Sequence, residues 1–381
     1  MAVTTSLSGG TLTITGDAAA DDVAILGTSN AGEITLIGRN GTLIDGIAAD
    51  PMTGESRKTI AGVTASLDAN FGDGDNIINV DNVYLAGGME VETETGDDRI
   101  ILGATGVVST RRSCILLAGD GNDVIRAEEY KVFIVEQLSV LLEGGDGHQF
   151  ASVIGASSLS LVHIGGGSES SVEMVVRGVT SGGNLLVSYG APVTSVAIFT
   201  SSASGNLLVS CPNANNSLYI DTVFAAGFMR ITATASDPTP GPQPPQPPPY
   251  NIDATITIAR CQTKQILIQT GGLPDSQFFG GNDTIFLHGN NIVGPPVAGT
   301  VSVISPAHVL YIETGDGNDN ISASYNVAVG DWFISMSQLD DLLTLVGNQV
   351  NGFASADGGP GTNRLNLLGN QFGGFATTRF Q

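Results

Sequence analysis

The chain has 381 residues, with 37 Asp or Glu against 14 Lys or Arg and a formal net charge of −23. No basic run is present to grip phosphates, which excludes a nucleic-acid partner, or to dock on anionic lipid. No apolar stretch approaches the roughly 20 residues of a transmembrane helix. Gly, at 51 residues, stands with Thr, Ser, Asn, Val and Ile where long helices would need Ala, Glu, Lys and Leu, so an all-β chain is expected.

In chain order, Met1–Gly10 shows neither the basic nor the apolar region of a secretory leader. Thr11-Leu-Thr-Ile-Thr alternates as a half-buried strand does. An acidic glycine turn followed by an apolar run then recurs: Gly72-Asp-Gly-Asp-Asn-Ile-Ile, Gly96-Asp-Asp-Arg-Ile-Ile, Gly119-Asp-Gly-Asn-Asp-Val-Ile and Gly145-Asp-Gly-His-Gln-Phe. The steps between these glycines are 24, 23 and 26 residues. Gly183-Asn-Leu-Leu-Val and Gly205-Asn-Leu-Leu-Val repeat the theme without acids. Gly281-Asn-Asp-Thr-Ile-Phe and Gly315-Asp-Gly-Asn-Asp-Asn-Ile restore them, and Asp340-Asp-Leu-Leu is a weaker echo.

A unit of about 23 residues holding two or three short strands fits one coil of a parallel β-solenoid, whose coils bury their inner faces by stacking. A β-sandwich also has short strands and frequent turns but does not explain the returning acidic corner. Residues 237–249, Asp-Pro-Thr-Pro-Gly-Pro-Gln-Pro-Pro-Gln-Pro-Pro-Pro, suit neither sheet nor helix. They divide the chain into a solenoid segment 1–236, a Pro-rich linker 237–249 and a second solenoid segment 250–381. The alternative is a long loop within one solenoid.

Asp and Asn oxygens on a glycine-rich turn suit a hard cation such as Ca²⁺. Stacked coils would pile Asp73, Asp97, Asp120 and Asp146 into a column. Unit charges about 5 Å apart repel by roughly 0.8 kcal/mol even in water, and cations between them would turn repulsion into adhesion. The candidate ligands are Asp73, Asp75, Asp97, Asp98, Asp120, Asn122, Asp123, Asp146, Asn282, Asp283, Asp316, Asn318 and Asp319. The competing expectation is that these residues only form turns, or that stacked Asn side chains make amide ladders without metal.

Gly119-Asp-Gly-Asn-Asp-Val-Ile and Gly315-Asp-Gly-Asn-Asp-Asn-Ile resemble the hemolysin-type (RTX) calcium-binding repeat. The resemblance implies a parallel β-roll with Ca²⁺ in its turns, Asp123, Asp283 and Asp319 as ligands, and an extracellular location. The copies here stand singly rather than in tandem every nine residues, and so look more like bacterial surface β-strand-repeat proteins.

Cys114, Cys211 and Cys261 are far apart and form no CxxC pair, as expected of isolated buried residues. The four His residues make no zinc or protease motif. Trp332 and the nearby Phe residues suit a core or an interface better than a sugar platform. The expectation is therefore a non-enzymatic extracellular structural protein that self-assembles, with Ser6–Thr15 and the run from Leu365 to Phe375 as pairing edges. The alternative is a β-helix that binds or degrades polysaccharide.

Overall fold

A computed structural model describes residues 1–127, 132–134, 136–142, 147–166, 171–190, 193–211, 215–233, 253–270, 282–293 and 308–381. Among the described residues there is no helix, and the strands join in long, mainly parallel sheets, a β-solenoid-like architecture. No helix is long and apolar enough to cross a membrane. The chain forms two compact units, Met1–Val187 and Ser188–Gln381. Asp146 and the tract 237–249 lie outside the described residues.

The first unit begins antiparallel. Ala2–Ser8 and Thr11–Thr15 make a hairpin in which Leu7 faces Leu12 and Ser8 faces Thr11. Asp22–Gly27, Glu33–Arg39 and Ser56–Ala61 follow as a second antiparallel set. The expected pairing edge Ser6–Thr15 is therefore taken up in part within the chain. Its residues pair with one another, and Leu12–Thr15 also pair with Leu67–Asn70. The outermost strand of the second set carries Arg57 and Lys58, bound to Glu55 and Asp45, and charge on an edge strand discourages further pairing.

From Leu67 onward the first unit stacks in parallel. Met89 lies between Leu67 and Cys114, and Cys114 faces Leu138 in turn. A second row joins Ile77–Asp81, Arg99–Leu102, Val124–Ala127 and His148–Ile154, with Ile78, Ile100 and Ile125 in one line. Short strands such as Val83–Leu85 and Val108–Thr110 make a third row. Alternation decides what is buried: Cys114, Leu116 and Ala118 are at most 1% exposed while Ile115 and Leu117 face outward.

The second unit repeats this plan. Asn320–Ser324 lies between Thr284–His288 and Leu342–Val346, and Leu342–Val346 also pairs with Arg364–Leu368. Strands on either side of 234–252 pair directly, Leu218 with Ile256 and Met229 with Ile266. Trp332 is 1% exposed and stands edge-on to Phe372, which stacks on Phe375 at 4.9 Å, so this aromatic group builds core at its inner end. The three cysteines are free and buried.

Candidate functional site: the acidic corners

Each acidic turn leads into a strand of the second row, and its last two polar residues take opposite roles. The outer one is exposed: Asp75, Asp97 and Asn122 in the first unit, Asn282, Asn318 and Asp340 in the second. The inner one is buried: Asn76, Asp98 and Asp123, then Asp283, Asp319 and Asp341, the most exposed of them at 2%. Strand alternation forces the split, because adjacent residues point to opposite faces.

The two files run in opposite directions. In the exposed file each side chain accepts an N–H from the following layer. Asp97 N–H donates to Asp75 Oδ1 at 2.9 Å, Asn122 N–H to Asp97 at 3.0 Å and His148 N–H to Asn122 at 2.7 Å. In the buried file each side chain accepts from the preceding layer. Asn76 N–H donates to Asp98 Oδ1 at 2.8 Å and Asp98 N–H to Asp123 at 2.9 Å. The second unit copies both files. Asn318 N–H donates to Asn282, Asp340 N–H to Asn318 and Thr362 N–H to Asp340. Inwardly, Ala254 N–H donates to Asp283, Asp283 N–H to Asp319, Asp319 N–H to Asp341 and Asp341 N–H to Asn363, each at 2.9 Å. The corner thereby satisfies backbone donors that turning away from a strand would otherwise leave unpaired.

The expected column of Asp73, Asp97 and Asp120 does not form. Thr95 stands between Asp73 and Asp120, bridging to Asp120 and donating its hydroxyl to Asp73 at 2.6 Å. Asp97 belongs instead to the file of Asp75 and Asn122. Asp316 N–H and side chain enter neither file; its neighbour Gly317 donates to Gln338.

Asn and Asp differ in the buried file. Asn76 Nδ2 turns back to the carbonyls of Gly72 at 3.2 Å and Gly74 at 2.7 Å, and Asn363 Nδ2 to Gly359 at 2.8 Å. In the Asp rungs that branch is Oδ2, an acceptor, and Oδ2 of Asp98, Asp123, Asp283, Asp319 and Asp341 is buried without a well-formed hydrogen bond; the hydroxyls of Thr93, Thr270 and Thr314 are the donors that face Asp98, Asp283 and Asp319. Burial, with Asp98, Asp97 and Asp120 nearby, pushes the Asp123 carboxyl up to about 7. Burial likewise raises Asp283 and Asp341 to about 7 and Asp319 to about 6, and raises Asp98. Asp97, exposed, is held below the usual range by the N–H and amide of Asn122.

Whether calcium fits turns on the donor set. Each layer offers one free buried carboxylate oxygen, and among the described residues no three His, Cys, Asp or Glu side chains converge as a metal group. A concavity of about 470 Å³ beside this corner of the first unit is lined by Glu92, Thr93, Glu94, Thr95 and the segment from Leu117 to Asp120.

Sequence reasoning missed a third file in the second unit. It runs through Asn290, Asn326, Asn348 and Asn370, each following a residue with positive φ: Gly289, Tyr325, Gly347 and Gly369. Asn290 N–H and Nδ2 both reach Asn326 Oδ1 at 3.0 Å, and Asn326 reaches Asn348 in the same way. Each Nδ2 also returns to a carbonyl, Asn326 to Leu287 and Asn348 to Ala323. The visible signal was the dipeptide Gly-Asn recurring at 289, 347 and 369. No family model, curated protein or solved structure matches this chain.

Proposed function

We propose that this chain is a non-enzymatic structural protein of the cell surface or extracellular space. It is a β-solenoid with coils of 22 to 26 residues where successive corners pair directly, and it associates with further copies of itself into a filament, matrix or surface layer. One observation carries the reading: the polar residues of the acidic corners are spent on joining layers, in two opposed files repeated in both units. A glycosidase needs one distinguished carboxylate pair, whereas here layer after layer offers the same arrangement. The direct pairing of Leu218 with Ile256 and Met229 with Ile266 favours stacking that continues between the strands on either side of 234–252. Negative-stain imaging and sedimentation of the purified chain test the reading. Ordered polymers or sheets are expected, and dispersed monomers at high concentration would refute it.

Calcium at the acidic corners is the second reading, favoured by the orphaned Oδ2 atoms of the buried file. There Asp98, Asp123, Asp283 and Asp319 would face the ion, and bound Ca²⁺ would raise stability by mass action. Thermal melting with and without EDTA decides it: an unchanged midpoint removes the metal.

A further inference from the structure

In the first unit the buried file starts at Asp21, and there its pattern breaks. Asp21 N–H donates to Asn76 Oδ1 at 2.9 Å, as a rung should. Its own carboxyl lacks the N–H from a preceding parallel layer that the later Asp residues of the file receive, and the nearest backbone donor is that of Asp17 in the same turn. The reason is topological. The layer before Asp21 is not a parallel strand, because Asp22–Gly27 pairs antiparallel with Glu33–Arg39. The turn after that strand brings up the Thr42 hydroxyl, whose oxygen already accepts the Asp22 N–H at 3.0 Å.

Asp21 is 1% exposed, and neither carboxyl oxygen has a well-formed hydrogen bond; the Asp17 N–H and the Thr42 hydroxyl approach it and favour the charged form, by less than burial disfavours it. Among the described residues it is the one carboxyl with both oxygens in that state. Gly16 packs so closely that a β-carbon there would lie 2.6 Å from Oδ2. The groups facing it are the Asp17 carboxylate and backbone, the Met1 amino group, which pairs with Asp17 at 3.6 Å, and Thr42. The neighbouring Asp22 carboxylate is held by Asn40 Nδ2 at 2.6 Å.

We infer that Asp21 is a proton-operated latch at the junction of the antiparallel cap and the parallel stack, closed when its carboxyl is neutral and loosened when it ionises. An ionised carboxylate buried with only the Asp17 N–H and the Thr42 hydroxyl beside it is unfavourable, whereas a neutral carboxyl is the closest mimic of the amide that Asn76 places in the next rung. Burial, then the charge of Asp17, pushes the Asp21 carboxyl up to about 6 from an ordinary 3.8. A raised value in the closed cap means that closure is fully favoured below about pH 4. That advantage is lost as the pH rises to about 6 and is absent above it.

Hydrogen exchange of the intact chain between pH 4 and 7.5, corrected for intrinsic rates, tests the latch. Protection of Ala2–Ser8, Asp22–Gly27 and Glu33–Arg39 should fall by up to roughly a hundredfold over the window. Asp21→Asn should flatten that dependence, and Asp17→Asn, which removes the facing charge, should move its midpoint to lower pH. Cap protection that ignores pH, or a pH dependence unchanged in Asp21→Asn, overturns the inference. Should Asp21→Asn not fold, an unmoved midpoint in Asp17→Asn overturns it instead.

Discussion

Two files of the second unit do the same backbone work with different side chains. At one corner Asp283, Asp319 and Asp341 each accept an N–H through Oδ1 and leave Oδ2 buried without a well-formed hydrogen bond, with the Thr270 and Thr314 hydroxyls facing the first two. At the other, Asn290, Asn326 and Asn348 accept through Oδ1 and spend Nδ2 on the next amide and on a carbonyl. An amide is both donor and acceptor, so a file of amides closes on itself at any pH. A file of carboxyls needs a hydroxyl, a proton or a cation at the second oxygen. Among the described residues the first unit has no such amide file where its second row ends. Val83, Ala156 and Val179, each after a left-handed residue, fill that corner with apolar side chains at most 1% exposed. A corner is therefore held by apolar packing, by amides or by acids, and only the acids make stability depend on solution conditions.

The largest expected effect follows from the acids together. Asp123, Asp283 and Asp341 titrate near 7 in the folded chain and Asp319 near 6, against an ordinary 3.8. Because these values are raised by folding, their stabilisation is complete below about pH 4 and is lost as the pH rises through 6 and 7. Asp45, Asp97 and Asp221 are held below the usual range and act oppositely, losing stability as the pH falls below about 4. Urea unfolding without divalent ions should thus show a maximum near pH 5 and a lower midpoint at pH 8; a flat profile would deny protons a part in the acid file.

Converting one file into the other sharpens the contrast. Asn326→Asp removes the donors to Asn348 and Leu287 and puts a charge in the amide file, at a cost of about 3 kcal/mol at pH 8. Asp319→Asn does the reverse and should stabilise by about 1 kcal/mol at pH 8, with the gain vanishing below pH 5. If calcium rather than a proton serves Asp319, the same substitution destabilises the calcium-loaded protein, so its sign separates the two readings. The smallest effect belongs to the exposed file. Asp340→Ala deprives the Thr362 N–H of its acceptor at 2.7 Å, but water can replace it, and a loss of about 0.5 kcal/mol is expected in the urea midpoint.

The acidic corners were legible as a recurring motif because glycine and aspartate mark turns through their own chemistry. Which aspartates share a column was not legible. Separations of 22, 25 and 26 residues between partners show that loop lengths vary from layer to layer, so counting from one glycine to the next misplaced Asp97. The N-terminal strands looked like open edges because alternation marks a strand without naming its partner; the hairpin of Leu7 against Leu12 supplies one from within the chain.

By itself the sequence determined the all-β class, the alternation that buries Leu116 and leaves Leu117 half-buried, and the chemistry available at the corners, since all three follow from residue types and a period of two. The tertiary structure alone decided which member of each acidic pair faces inward, which oxygen finds a donor, and that Asp21 receives no N–H from a preceding parallel layer. Register and the switch from antiparallel to parallel pairing are agreements between distant segments, and a slip of one residue would exchange the buried and exposed files.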